Sequence, residues 1–224
     1  MTMERWDALG NVYLVTQEAL DSARVRTAVG DADGIAQVTA RGDDWAEVVI
    51  WNPDGSTAEM SGNATRIVAA WLGAERTTVR VGAREVVAHR TDDGQIEQSI
   101  GEVAVSEAER IAGFDVIRVD VGNPHAVVVG DPDDLPRIGP ALETHERFPQ
   151  RTNVQVARID APGRVTARVW ERGVGETRAS GTSAVAVAAA THGEGEVVVS
   201  FPGGELTVHL ENGRARLTGP AVRV

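Results

Sequence analysis

The chain has 224 residues, enough for one large domain or two small ones, and its 42% apolar and 25% charged residues are typical of a globular protein. The formal net charge of −11 and the lack of a basic cluster argue against nucleic acid and anionic membranes as partners. Cysteine and lysine are both absent, which excludes a thiolate nucleophile, a disulfide and a Schiff base with pyridoxal phosphate.

The first half of the chain predicts a strand, a helix and a hairpin, in that order. Alternating apolar residues predict a strand over Trp45–Trp51. A Ser-Gly-Asn sequence at 61–63 precedes an apolar stretch, which predicts a helix over residues 64–72. Strands at 77–81 and 85–89, separated by a turn that contains glycine, predict the hairpin.

The second half predicts the same order of elements. A strand is expected over residues 164–170, followed by a loop with two glycines at 171–175. A Ser-Gly-Thr sequence at 180–182 then precedes a predicted helix over 183–191. Two further strands within residues 196–210 form the second predicted hairpin.

The two halves share a spacing that indicates an internal duplication. Trp51 ends the strand ten residues before Ser61, and Trp170 stands ten residues before Ser180. Strands, helices and hairpins recur in this order in many proteins by chance, but the shared spacing of tryptophan and serine is more specific.

Each Ser-Gly sequence stands at a predicted helix start, where free backbone N–H groups and the helix dipole favour a carboxylate or phosphate. For either serine alone, an ordinary helix N-cap is the simpler interpretation. The pair suggests that two helix starts share one ligand. Ser180 lacks the G-x-S-x-G pattern of a serine hydrolase, because Arg178 and Ala179 precede it.

The five histidines show no metal-ligand spacing, so no metal site is predicted. His125 is the one with a functional context. It belongs to the sequence Gly-Asn-Pro-His at 122–125, directly after an apolar strand at 116–121, and loops at strand ends commonly carry function.

Several of these sequences together resemble the diaminopimelate epimerase family. The resemblance extends from Leu-Gly-Asn at 9–11 to the last hairpin and rests on motifs at 52–56, 58–63, 122–125, 171–177 and 180–182. It implies an α+β fold of two pseudo-symmetric α/β halves, each a curved sheet wrapped around a central helix. The expected halves are residues 1–112, joined by the C-terminal strand 214–224, and residues 113–213.

The resemblance also implies a function, the epimerisation of LL-diaminopimelate to meso-diaminopimelate in lysine and peptidoglycan precursor biosynthesis. Members of the family use no cofactor, and two cysteines exchange protons with opposite faces of the substrate α-carbon. Ser61 and Ser180 stand at the two catalytic positions. The expected substrate-binding residues are Asn11, Asn52, Gly62, Asn63, Asn123, His125, Asn153, Glu171, Arg172, Gly181 and Thr182.

The serines are a departure from the family, because an alkoxide is far less accessible at neutral pH than a thiolate. Catalysis is therefore expected to be impaired. One alternative is an inactive diaminopimelate-binding variant, either natural or engineered by Cys→Ser exchange. Another is a racemase or isomerase of the wider superfamily that acts on a different amino or hydroxy acid. Composition does not separate natural from deliberate loss of cysteine.

The remaining expectations concern partners and location. The predicted partner is a small amino acid, and the sequence leaves open whether the chain forms a homodimer. Residues 1–10 include three charged side chains and no apolar core of signal-peptide length. We therefore expect a cytoplasmic protein.

Overall fold

The computed structural model of the protein describes residues 2–224, which form two compact units. One unit extends to Ser99 and takes in Thr218–Val224, and the other comprises Ile100–Leu217. The assignment of the halves to residues 1–112 and 113–213 stays a prediction. No helix among the described residues is both long enough and apolar enough to cross a membrane.

The first unit is built of short strands around one long helix. Its elements are β1 Glu4–Asp7, β2 Val12–Thr16, α1 Ser22–Ala28, β3 Gly34–Arg41, β4 Trp45–Trp51, β5 Thr57–Ala58, α2 Gly62–Leu72, β6 Arg76–Val81, β7 Arg84–Arg90 and β8 Ile96–Glu102, whose last residues belong to the other unit. Strand pairs β2–β3 and β4–β6 are parallel. Pairs β1–β2, β3–β4, β4–β5 and β6–β7 are antiparallel.

The second unit repeats this order. Its elements are β9 Ala104–Ile111, β10 Phe114–Asp120, β11 Pro124–Val129, a 3₁₀ turn Pro132–Asp134, α3 Leu135–Glu143, β12 Asn153–Ala161, β13 Arg164–Glu171, β14 Gly175–Thr177, α4 Gly181–Thr191, β15 Gly195–Phe201, β16 Gly204–Glu211 and β17 Arg214–Gly219, whose last two residues belong to the first unit. Pairs β11–β12 and β13–β15 are parallel, whereas β10–β11, β12–β13, β13–β14 and β15–β16 are antiparallel. The matching order and pairing confirm the predicted pseudo-symmetric α+β fold.

Each unit encloses its longest helix. In α2 every residue from Asn63 to Ala70 is buried, and in α4 Gly181 and all residues from Ser183 to Ala189 are buried. A helix that lacks a polar face must be covered on all sides. The many alanines of these helices keep them thin, so that strands pack close to them.

The predicted elements agree with the structure, apart from their ends. The strand at Trp45–Trp51 is β4, while α2 and α4 both begin at a glycine, two residues before the predicted helix starts. The expectation of one continuous C-terminal strand is wrong, because the chain forms β17 and then β18, Val222–Arg223. Pro220 lies between them and has no N–H to donate to a strand ladder. Strand β18 pairs with β1, and both strands belong to the first unit.

Candidate functional site

In the first unit, Ser61 is the N-cap of α2. Its backbone is extended, with φ −145° and ψ 117°, and its Oγ accepts the Ala64 N–H at 3.2 Å. The hydroxyl of Tyr13, on β2, also donates to Ser61 Oγ, at 3.3 Å. Ser61 is therefore a conventional cap that has, in addition, a phenol as its neighbour.

A buried arginine orients the side chains at the start of α2. Arg66 is fully buried, and its Nη2 donates to Asn63 Oδ1 at 3.0 Å while its Nε donates to the Pro220 carbonyl at 3.1 Å. Because a guanidinium can only donate, Asn63 must present its oxygen to Arg66 and its amide nitrogen to the other side. There Asn63 Nδ2 donates to Asn11 Oδ1 at 3.0 Å.

In the part of the chain that the structure describes, no carboxylate is hydrogen-bonded to Arg66, which is unusual for a buried cation. Among the described residues, its Nη1 has no hydrogen-bond partner. Burial lowers the pKa of Arg66 to about 10, although the charge of Asp7 opposes this shift. The guanidinium therefore remains charged at neutral pH and adds positive charge behind the helix start.

Gln98, on β8, anchors the first turn of α2. Its Nε2 donates to the Gly62 carbonyl at 2.9 Å, and its Oε1 accepts from Thr65 Oγ1 at 3.1 Å. Asn52 belongs to a different local structure, because its Nδ2 donates to Ser56 Oγ at 2.9 Å within the turn between β4 and β5. The structure thus joins Asn11 and Asn63 directly at the start of α2 and gives Asn52 a turn of its own.

In the second unit, Ser180 is the N-cap residue of α4 and is only 5% exposed. Its backbone angles, φ −145° and ψ 129°, are close to those of Ser61. Unlike Ser61, it makes no side-chain cap hydrogen bond. The two serines therefore share a backbone position but differ in what their hydroxyl groups contact.

His125 is buried beside the first turn of α4. One ring nitrogen, Nε2, lies 3.0 Å from Asn123 Oδ1, and Nδ1 lies 3.0 Å from Gln155 Nε2, which also donates to Ser183 Oγ at 2.9 Å. Because the amide nitrogen of Gln155 is a donor, Nδ1 must accept and Nε2 must carry the proton.

Burial lowers the pKa of His125 to about 3, and the positive charge of Arg172 adds to this shift. The imidazole is therefore neutral at physiological pH. It contacts Asn123 and Gln155 as a neutral ring and not as a cation.

Asn153 and Glu143 fix the loop that carries Glu171 and Arg172. Asn153 Oδ1 accepts the Arg172 N–H at 3.0 Å, and its Nδ2 donates to the Pro124 carbonyl at 3.1 Å. Glu143 Oε1 accepts the Gly173 N–H at 2.7 Å. The loop backbone is thus tied both to β11 and to the end of α3.

Glu143 can hold this loop because it stays ionised while buried. Burial alone raises the pKa of Glu143, but hydrogen bonds from the Gly173 N–H and Trp170 Nε1, together with the charge of Arg151, outweigh it and lower the pKa. The Arg151 guanidinium lies 2.6 Å from the carboxylate. The Arg172 side chain is exposed, and its Nη1 donates to the Gln150 carbonyl at 3.1 Å.

Apart from Asn52, the predicted site residues form two groups, each within its own unit. Asn11, Ser61, Gly62 and Asn63 meet at the start of α2. The second group consists of residues of the loop at 171–173, residues at the start of α4, and side chains that hydrogen bonds link to these, directly or through Gln155. Its members are Asn123, His125, Asn153, Glu171, Arg172, Ser180, Gly181 and Thr182.

Sequence reasoning missed five residues that hold these groups in place: Tyr13, Arg66, Gln98, Glu143 and Gln155. Gln155 could have been noticed in the sequence, because its amide side chain stands between Val154 and Val156. Arg66 could have been noticed as well, because it interrupts an apolar helix.

Comparisons with known proteins find that this chain is similar to diaminopimelate epimerases. A family model described as diaminopimelate epimerase matches residues 117–224. The diaminopimelate epimerase of Thermobifida fusca is 44% identical over 190 residues, covering 77% of this chain and 69% of that protein. That of Desulforudis audaxviator is 37% identical and covers 89% of this chain and 84% of that protein. A crystal structure of a Bacillus anthracis phenazine biosynthesis protein, only 12% identical, shares the fold with a TM-score of 0.76 over 99% of this chain and 96% of that one.

The Asn63 network yields a prediction about stability. Asn63→Ala removes the acceptor of a buried guanidinium, so we expect the free energy of unfolding to fall by about 2 kcal/mol. Asn52→Ala is the control, because Asn52 bonds an exposed serine in a turn, and we expect a much smaller change. Urea denaturation of both variants measures the difference. Equal losses would contradict a special role for the Arg66–Asn63 contact.

The buried His125 yields a prediction about pH. Its pKa is about 3 in the folded protein against 6.5 for a free histidine, so the unfolded chain binds the extra proton first as the pH falls. Stability should therefore decline below about pH 6.5, with this residue contributing up to about 1.4 kcal/mol per pH unit. His125→Gln should flatten the decline, whereas replacement of the exposed His89 should not. Urea denaturation at pH 7 and 5 would refute this if all three proteins lost the same stability.

Proposed function

The chain belongs to the diaminopimelate epimerase family, and we propose that it converts LL-diaminopimelate to meso-diaminopimelate without a cofactor. One observation carries the proposal most directly. In each unit a serine in extended backbone is followed at once by a glycine that opens the buried central helix. A hydroxyl group and the first backbone N–H groups of a helix thus occur together at both helix starts.

In this proposal Ser61 and Ser180 are the two proton-transfer groups, one for each face of the substrate α-carbon. The backbone N–H groups of Gly62 and Asn63, and of Gly181 and Thr182, hold the reacting carboxylate. A helix N-terminus favours an anion, and it also favours the negative charge that develops when the α-proton leaves. The charged Arg66 behind α2 acts in the same direction.

In the same proposal, a set of polar residues binds the second amino-acid centre of diaminopimelate. Arg172 clamps a carboxylate, and the neighbouring Glu171 suits an ammonium group. Asn123, Asn153 and His125 complete this part of the site, together with Asn11 and Asn52. Support for the assignment comes from the loop itself, whose backbone Asn153 and Glu143 hold in one conformation.

The serines make the proposed reaction slow. A thiol has a reference pKa of about 8.5 and is readily ionised at a helix start, whereas an alcohol is a far weaker acid. The specific alternative is a protein that binds diaminopimelate and does not turn it over, and the same pair of serines favours it. Substrate conversion and substrate binding therefore have to be measured separately.

Restoring both thiols tests the catalytic assignment. We expect Ser61→Cys with Ser180→Cys to accelerate conversion of LL- to meso-diaminopimelate by about a hundredfold or more, since acid–base groups commonly contribute that much. Either single change should do much less, because the two groups act as a unit. Chromatographic separation of the stereoisomers measures the rates. A double variant no faster than the parent would show that these positions are not the catalytic pair.

Binding is tested by removing the clamp. Arg172→Ala should weaken diaminopimelate binding by about ten- to a hundredfold, as expected for loss of a charged hydrogen bond of about 1.5 to 3 kcal/mol. Arg24→Ala is the matched control, because Arg24 is also exposed and also donates to a backbone carbonyl through Nη1. Isothermal titration calorimetry measures the affinity of both variants for diaminopimelate. Unchanged affinity in the Arg172 variant would remove this residue from the site.

A further inference from the structure

The phenol of Tyr13 is fixed in place against Ser61. Tyr13 is 7% exposed, and its hydroxyl donates to Ser61 Oγ at 3.3 Å. It pairs with Gly34 across the parallel strands β2 and β3, and a Cβ atom at position 34 would lie only 2.6 Å from Cε1 of the ring. The ring therefore occupies space that the absence of a side chain at Gly34 leaves open.

The duplication places a second acid–base residue at the equivalent position. Tyr13 pairs with Gly34 at the start of β3, and His125 pairs in the same way with Asn153 at the start of β12. The ring nitrogens of His125 contact the amides of two other side chains and not Ser180. Only the first unit thus joins this residue directly to the serine that caps the central helix.

The bonding of Ser61 leaves one direction for its proton. A serine oxygen has two lone pairs and one hydrogen. Ser61 Oγ accepts from the Ala64 N–H and from the Tyr13 hydroxyl, so its own hydrogen points toward a third partner. Loss of that proton alone would leave an alkoxide, which is costly, whereas a phenol has a reference pKa of about 10 and ionises far more easily.

We propose that Tyr13 is a positioning residue that supplies and recovers the proton which Ser61 exchanges with the substrate. As the α-carbanion takes the Ser61 hydrogen, the Ser61 O–H bond breaks and the C–H bond forms. The Tyr13 O–H bond breaks at the same time and renews the Ser61 hydroxyl, so the negative charge ends on the phenolate. Proton removal from the substrate runs the same steps backward. The inference rests on the proposed function and explains how a serine can serve in it.

The first test needs no substrate. Tyr13 is the only tyrosine of the chain, so the ultraviolet difference spectrum of tyrosinate reports its ionisation alone. We expect Ser61→Ala to raise the titration midpoint by roughly half a pH unit or more, because the phenolate loses a hydrogen-bond donor worth about 1 kcal/mol. Ser180→Ala, in the other unit, should leave the titration unchanged. A titration that Ser61→Ala does not move overturns the proposal.

The second test follows the α-proton of diaminopimelate by NMR in D2O. Tyr13→Phe keeps the ring and removes the hydroxyl, and we expect exchange to slow by about a hundredfold and to lose the pH dependence that matches the phenol titration. In a Ser61→Cys background the same change should cost little, because a thiol ionises without help. Equal losses in both backgrounds would mark Tyr13 as merely structural and overturn the relay.

The two tests separate this inference from the function on which it rests. If the native chain exchanges no α-proton, the proposed function fails, and the titration still judges whether Tyr13 and Ser61 share a proton. If exchange occurs but the Tyr13→Phe variant exchanges as fast as the native chain, the relay fails and the proposed function stands.

Discussion

The structure depends on one requirement, which is that the first N–H groups of a buried helix must find partners. Helices α2 and α4 are buried along nearly their whole length, so their starts cannot rely on bulk water. Each start combines a serine in extended backbone with a glycine as the first residue of the helix. An anionic ligand is a suitable partner for such a start, because the N–H groups and the helix dipole both favour negative charge.

Around this shared motif the two units differ in electrostatics. At the start of α2, Arg66 is charged and the Tyr13 hydroxyl donates to Ser61. At the start of α4, His125 is neutral and Ser180 makes no side-chain cap hydrogen bond. Two groups that exchange protons with opposite faces of one carbon need not be alike. Acid and base roles can be divided between two groups when their environments give them different pKa values. The two units therefore share the backbone arrangement of the helix start and differ in the side chains that surround it.

The sequence predicted the fold well because the duplicated elements carry strong local signals. Trp45–Trp51 alternates as a strand does, and Gly73 ends α2 in the left-handed conformation that glycine adopts easily. The broken C-terminal strand could have been foreseen from Pro220. The hydrogen bonds of Tyr13 with Ser61, of Glu143 with the Gly173 N–H and of Gln155 with Ser183 could not, because each joins residues that lie 28 or more positions apart and depends on how strands pair. Family resemblance proposed the remaining site residues, and their roles stay predictions.

The proposed function requires this chain to move a proton at the α-carbon of diaminopimelate without a thiol. The most direct measurement is proton NMR of LL-diaminopimelate incubated with the unmodified protein in D2O. We predict slow loss of the α-proton signal, together with the appearance of the meso isomer, and no loss with a Ser61→Ala, Ser180→Ala double variant. A signal that persists as long with the native protein as with the double variant would contradict the account and leave a binding protein in place of an epimerase.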